Sequence, residues 1–331
     1  MATIDTETQY GVAPDLKTLV DLRHYGKGIQ FPPRRRISGS LAGGYLSNIR
    51  GRGIDFDEVR QYNPGDDIRN MDWRVTARMN KPHTKVFKEE RERPVFFAID
   101  NSETMQFGTK RVFKSVAAAE AATLLAWAAS SNKDRIGGLI FSENNHVELK
   151  PTAGDRGVLR MINALCVNKN GVKKNSGEKK ASSAENKPLQ QKESQFLEQA
   201  LLRLRYVTKP GSAIFIFSDF FQVSQNSFDQ LSQLAIHNEL YMIHVYDQIE
   251  HSVPPTGRYR ISDGAHSFEI DLEGRDNRTR YHDWFASRQG EVVDFCKKHR
   301  IGYMPVCTAT NPYELAQAFI PHPFLNKEVN R

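Results

Sequence analysis

The sequence is poor in cysteine: Cys166, Cys296 and Cys307 are the only three in 331 residues. They lie far apart and form no Cys-x-x-Cys pair, which argues against a zinc ribbon or a disulfide framework and for a reducing compartment. Long apolar runs are missing too. The longest nearly apolar stretch, Val116 to Ala129, carries Glu120 and is too short to cross a bilayer. The opening residues MATIDTETQY have neither a basic n-region nor an apolar h-region. These absences lead us to expect a cytoplasmic protein with no membrane span. No Gly-x-x-x-x-Gly-Lys-Ser/Thr occurs, so the phosphate cradle of a P-loop NTPase is absent, and there is neither an internal repeat nor a heptad run.

A formal charge of +7 invites a nucleic-acid reading, so its location matters. Between Cys166 and Lys192 seven Lys face two Glu in a Ser/Asn/Lys-rich stretch with few apolar residues. Such a composition buries too little apolar surface to offset ordering entropy, so a disordered insert is expected at about 167–192. The remainder is close to neutral, and Arg34-Arg35-Arg36 is a small patch rather than a stripe. No specific nucleic-acid partner is expected, and non-specific association stays as an alternative.

Apolar residues make up 39% of the chain, enough for a real core. The run Val95 to Ile99 reads as a buried strand that ends on Asp100, followed by Ser102 and Thr104. A second apolar strand, Ala213 to Phe217, ends in Ser218-Asp219. In open α/β sheets ligands sit outside the carboxyl ends of the strands, and parallel neighbours would bring Asp100 and Asp219 to one crevice. A hard cation such as Mg²⁺ takes oxygen ligands in near-octahedral array and keeps several waters. Two hydroxyls bound directly, with carboxylates further out, leave positive charge for a foreign Asp or Glu to complete. An Asp followed by Ser and Thr is also an ordinary helix N-cap arrangement.

The other elements fit a doubly wound, mostly parallel sheet. Helices are expected over Asp15–Tyr25, Lys110–Ser131, Gly154–Leu165, Gln195–Tyr206, Phe228–His237, the stretch through Trp284 and Phe295, and Pro312–Phe319. Strands are expected over Arg135–Ser142 and His146–Lys150, which read as an edge hairpin, and over Leu240–Tyr246 and Gly302–Val306. Arg258–Ile261 and Ser267–Leu272 read as a polar hairpin around Asp263–His266. Phe31–Gly44 reads as a connection.

Between Gly51 and Pro94 the sequence is dense in Asp, Arg and Gly. Asn63-Pro64-Gly65-Asp66 has the Pro-Gly centre of a type II turn, and Asp66 or Asp67 can cap a following helical turn. Trp73 is expected inside, with Arg60, Arg69, Arg74 and Arg78 pairing to Asp57, Asp66, Asp67 and Asp72. A structural ion-pair network and a second cation site among the aspartates both fit this pattern.

Two resemblances follow from these residues. Asp100, Ser102 and Thr104 form an Asp-x-Ser-x-Thr series that resembles the metal-ion-dependent adhesion site of von Willebrand factor A domains, with Asp219 matching its second carboxylate. The runs GIDFDEVR at 53–60, YNPGDDIR at 62–69, MDW at 71–73, TAR at 76–78 and KVF at 85–87 resemble the family known as domain of unknown function 58. Its members are bacterial proteins with a von Willebrand A-like domain, encoded beside MoxR-type AAA+ ATPases. The resemblance implies a family-specific N-terminal region over 1–93, a von Willebrand A-like domain over 94–320 and a tail over 321–331. It implies a metal site of Asp100, Ser102, Thr104 and Asp219 for Mg²⁺ or Mn²⁺. The adhesion site's Thr, carried by the loop before the helix expected at 195, is replaced by Ser194 and Gln195. The expected function is a metal-dependent interaction module without enzymatic activity, an adaptor for a MoxR-type ATPase or its client. The alternatives are a metal-dependent phosphoester hydrolase and a nucleic-acid-associated protein. A haloacid-dehalogenase-type phosphatase needs a carboxylate at 102, where this chain has Ser.

Overall fold

The computed structural model describes residues 11–29, 55–88, 93–143, 145–167, 189–221, 223–252, 255–262 and 267–319. The Phe31–Gly44 connection, residues 168–188 of the insert expected at about 167–192, the Asp263–His266 turn and the tail expected over 321–331 lie outside them; the ends of that insert are corrected, Val167 closing one helix and residues 189–192 opening another. Contacts divide the chain into a small unit, 36–92, and a larger one, 1–35 with 93–331.

The N-terminal helix expected over Asp15–Tyr25 is two short helices, α1 (Leu16–Asp21) and α2 (Arg23–Gly26). Asp15 caps α1 by accepting from the Thr18 N–H. The Trp127 indole donates to the Leu19 carbonyl at 3.3 Å, near the break between the two helices. Leu19 and Leu22 join the core of the larger unit, so these helices group with the sheet and not with the region that follows.

The small unit pairs β1 (Asp55–Gln61) antiparallel with β2 (His83–Lys88), and between them lies α3 (Trp73–Met79). The expected turn is there: the Asp66 N–H donates to the Asn63 carbonyl, and Gly65 takes φ +105°, a conformation that glycine alone adopts without strain. Two expectations are corrected. Trp73 is 68% exposed, because α3 is held to its neighbours by the Asp72 cap and by the Thr76 hydroxyl, which accepts from His83 N, and not by its first side chain. Of the Arg/Asp pairs, Arg60–Asp66 forms at 2.6 Å, whereas Asp67 and Asp72 are used on backbone N–H groups, Asp72 also facing Lys85.

In the larger unit β3 (Pro94–Asp100) leads to α4 (Lys114–Ser131), β4 (Arg135–Phe141), β5 (His146–Ala153), α5 (Asp155–Val167) and α6 (Leu189–Val207). Then come β6 (Ala213–Ser218), α7 (Gln225–His237), β7 (Glu239–Tyr246), α8 (Gln248–His251) and the hairpin β8 (Arg258–Ser262) with β9 (Ser267–Asp271). The chain closes with α9 (Arg275–His299), β10 (Gly302–Cys307) and α10 (Pro312–Phe319). Six strands form one sheet in the order β10-β7-β6-β3-β4-β5, all parallel except β5.

Alternation along the strands feeds two cores. Phe97, Phe215 and Phe217 pack toward α4 on one face, while Phe96, Ala98, Ile214 and Ile216 pack with residues of α6, α7 and α9 on the other. Ring stacking of Phe97 on Phe215 and of Phe215 on Tyr241 continues the first core across three strands. The Ala-rich α4 is buried from Lys114 through Ala129, since helices as well as the sheet cover it. The mixed α/β architecture with helices on both faces is as expected, and it places the carboxyl ends of β3 and β6 side by side.

Candidate functional site

Registry aligns Ile99 of β3 with Phe217 of β6, so the next residues, Asp100 and Ser218, fall together at the sheet edge. Asp100 is buried, with one oxygen accepting from the Ser218 hydroxyl at 2.6 Å and the other from the Ser102 N–H at 2.9 Å. The hydroxyls of Ser102 and Thr104 stand 3.1 Å apart, and Thr104 also reaches Asp219. All four expected residues therefore meet. Asp100, Thr104, Ser218 and Asp219 line a small cavity of about 20 Å³.

Lys114, which sequence reasoning missed, is the first residue of α4 and is 2% exposed. Its ammonium bridges Asp219 at 2.8 Å and Glu250 of α8 at 2.9 Å. A lysine at position 14 after a strand-ending Asp carries no signal by itself. Its burial follows from α4 starting at the sheet edge and from Glu250 arriving 136 residues later.

The electrostatics follow from this crowding. Burial, and then the charge of Asp219, push Asp100 up to about 7 against the hydrogen bonds of Ser218 and Ser102. Burial also opposes ionisation of Asp219, but the Lys114 charge and hydrogen bond outweigh it and hold Asp219 below the usual carboxylate range. Burial would depress Lys114, and its two carboxylate partners instead raise it. Burial raises Glu250 despite the same ammonium. Asp219 and Glu250 thus share a single bonded ammonium, while Asp100 has only hydroxyl and N–H partners.

That arrangement fits a small hard cation. The O···O separation of Ser102 and Thr104 is close to the roughly 2.9 Å between adjacent ligands of an octahedron with Mg–O bonds of about 2.0–2.1 Å. The surplus of carboxylates supplies the compensating charge. No three His, Cys, Asp or Glu side chains converge in metal-holding fashion among the described residues, so any such site depends on its hydroxyls. Ser194 and Gln195 lie inside α6 and not in a loop ahead of it, so the expected position of a third hydroxyl does not exist as a loop here.

The cluster is braced by Asp247, which follows β7. It accepts from the Thr109 hydroxyl and N–H, from the Thr308 hydroxyl and from Ile249 N, tying loops after β3 and β10 to the cap of α8.

Residues 58–291 match the family described as "Protein of unknown function DUF58". The chain belongs to the DUF58 family. Uncharacterized proteins of Mycobacterium bovis and Mycobacterium tuberculosis are 36% identical to this DUF58 chain over 112 residues, 34% of its length. The match spans 35% of the length of those relatives. A crystal structure of an uncharacterized membrane spanning protein from Vibrio fischeri aligns at 13% identity over 63% of this chain and 98% of its own, with a TM-score of 0.20. No helix among the described residues of this DUF58 protein is long and apolar enough to cross a membrane.

Proposed function

We propose that this DUF58 protein is a von Willebrand A-like interaction module that binds a carboxylate of a partner protein through Mg²⁺ or Mn²⁺ held at the β3/β6 edge. The partner is a MoxR-type AAA+ ATPase or its client, with this chain as adaptor. The observation that carries the reading is the convergence of Asp100, Thr104 and Asp219 around one cavity, with Ser102 bonded to Asp100 and Thr104 behind it and more carboxylates than bonded cations.

In this reading the Ser102 and Thr104 hydroxyls hold the ion. Asp100 supplies charge from behind while its oxygens keep Ser102 and the β6 end in place. Asp219, anchored by Lys114 and the Phe221 N–H, contributes charge from the second strand. The bound ion supplies an open coordination position that an incoming Asp or Glu completes. His244, the histidine lining the neighbouring cavity, is a poor general base: burial pushes it down to about 4, and its Nδ1 pairs with the Tyr303 hydroxyl at 2.8 Å.

Calorimetry with Mn²⁺ tests the ion, and capture of a purified MoxR-type ATPase with and without EDTA tests the partner. Asp100→Ala is expected to abolish both, with a far-UV spectrum like the wild type. Equal Mn²⁺ affinity in the variant, or capture that survives EDTA, would sink the reading. Asp100-dependent turnover of phosphoesters without a partner would favour the hydrolase.

A further inference from the structure

Residues 55–88 of the small unit carry seven Lys or Arg against six Asp or Glu, a sum of only +1. The two signs are used differently. Asp66 accepts from the Asn63 N–H and pairs with Arg60, and Asp67 accepts from the Arg69 N–H. Asp72 accepts from the Arg74 and Val75 N–H groups and faces Lys85. The guanidiniums of Arg69, Arg74 and Arg78 are exposed and have no carboxylate partner among the described residues. These three aspartates are spent mainly on the backbone, and three positive charges are left to solvent.

α3 presents two of those charges beside an aromatic ring. Helical residues four apart stand in one row, so Trp73 with Ala77 and Arg74 with Arg78 form two adjacent rows, and all four are exposed. Val75 and Thr76 are half-buried on another side, where Thr76 accepts from the His83 N–H. Ala77 is too small to cover the indole. Ile68 and Met79 are, like Trp73, more than half exposed. The helix is fixed at its start by the Asp72 side chain and by the Asp72 N–H, which donates to the His83 carbonyl at 2.9 Å. A face held in this way loses little freedom on binding.

Charge selects what can cover this face. A basic segment meets uncompensated guanidiniums. A second copy of the same face sets arginine against arginine. A nucleic-acid strand is gathered by many cations along its phosphates, and a unit with a sum of +1 supplies no such field. Ile68 and Met79 also give bases nothing on which to stack. An acidic segment with an apolar side chain among its carboxylates meets none of these objections. Guanidiniums take carboxylates in bidentate fashion, and the indole with its aliphatic neighbours takes the apolar group.

We propose that the Trp73–Arg74–Ala77–Arg78 face of α3 is a docking site for an acidic segment of a partner protein, with Trp73 as its apolar anchor. The site lies wholly within the small unit and is independent of the ion reading. One face of a seven-residue helix is far smaller than the roughly 1,200–2,000 Å² of a stable interface, so the contact reinforces an attachment made elsewhere.

The test pans a randomised heptapeptide display library, multivalent enough to hold weak binders, on the full chain in EDTA. Sequences with at least two Asp or Glu around a Phe, Trp, Leu or Ile are expected to be enriched. By fluorescence anisotropy, a synthetic peptide of that kind should bind Asp100→Ala like the wild type. It should bind Trp73→Ala, and the double variant Arg74→Ala with Arg78→Ala, at least about tenfold more weakly, the scale of an interface hot spot. The charge-reversed pair Arg74→Glu with Arg78→Glu should lose the acidic peptide and gain its Lys-for-Glu counterpart, a gain that an unfolded variant cannot produce. No enrichment, enrichment of basic or uncharged sequences, or acidic peptides that bind all the α3 variants equally would overturn the proposal. So would a twelve-residue oligothymidylate that binds more tightly than the peptides and depends on the same arginines, which would make the face a nucleic-acid site.

Discussion

Lys114 shows how much can rest on one residue that reads as ordinary in the sequence. Its buried ammonium is held between Asp219 and Glu250, so removing it leaves two buried carboxylates uncompensated. Lys114→Met is expected to cost about 3–5 kcal/mol in urea melts run in EDTA, the scale for breaking a buried pair from one side. The same variant should bind Mn²⁺ more tightly, because the tethered cation no longer satisfies Asp219; unchanged affinity would separate Lys114 from the ion site. Trp73 teaches the opposite lesson. A tryptophan beside a capped turn reads as core, yet 68% exposure leaves little to lose, so Trp73→Ala should shift stability by no more than about 0.5 kcal/mol in thermal melts. Asp100, Ser102, Thr104 and Asp219 were legible because a strand ending in a polar cluster is a local pattern. Lys114 and Glu250 were not, since each acquires its role from chain segments distant in sequence.

Among elements, strands were read more accurately than helix boundaries. The β4–β5 hairpin stands where it was expected, with β5 running three residues further, and β3, β6, β7 and β10 match their expected spans to within a residue or two. The helix expected from Lys110 begins at Lys114, and the one expected from Gln195 begins at Leu189, because polar residues at a helix start carry no periodic signal. The burial of α4 on every side also escapes amphipathic reasoning, since small residues let the sheet and neighbouring helices approach together. Gly26 of α2 is one such point of approach: a Cβ there would stand 2.6 Å from the Trp127 Cβ and 3.1 Å from the Leu124 carbonyl. Gly26→Ala should therefore destabilise the protein by about 1–3 kcal/mol, against the usual gain for Gly→Ala in a helix. A stabilised variant in calorimetric melts would show that α2 does not pack on α4 in this way.

At the scale of the molecule, Asp247 joins the loops after β3 and β10 to the cap of α8. Burial opposes its ionisation, but hydrogen bonds from Thr109, Thr308 and Ile249 prevail and hold it below the ordinary carboxylate range. A depressed pKa contributes stability that is complete above the unfolded value of about 3.9 and lost as pH falls through the folded one. Asp247→Asn should thus lower stability at pH 7 by about 1.5–3 kcal/mol, the scale of hydrogen bonds to a charged group, with the gap to wild type closing below about pH 4. A gap that stays constant from pH 7 to pH 3 would mean that the charge does not matter. The strand order has a further consequence, for the chain as it is made. β3 lies at the middle of the sheet, yet one of its partners, β4, ends at Phe141 and the other, β6, ends at Ser218. At synthesis rates of roughly 5–20 residues per second, β3 waits on the order of 6–24 s with the Val-Phe-Phe-Ala-Ile edge that β6 later fills unpaired. During that interval the strand that carries Asp100 offers an apolar edge on which chaperones and neighbouring nascent chains can pair alike.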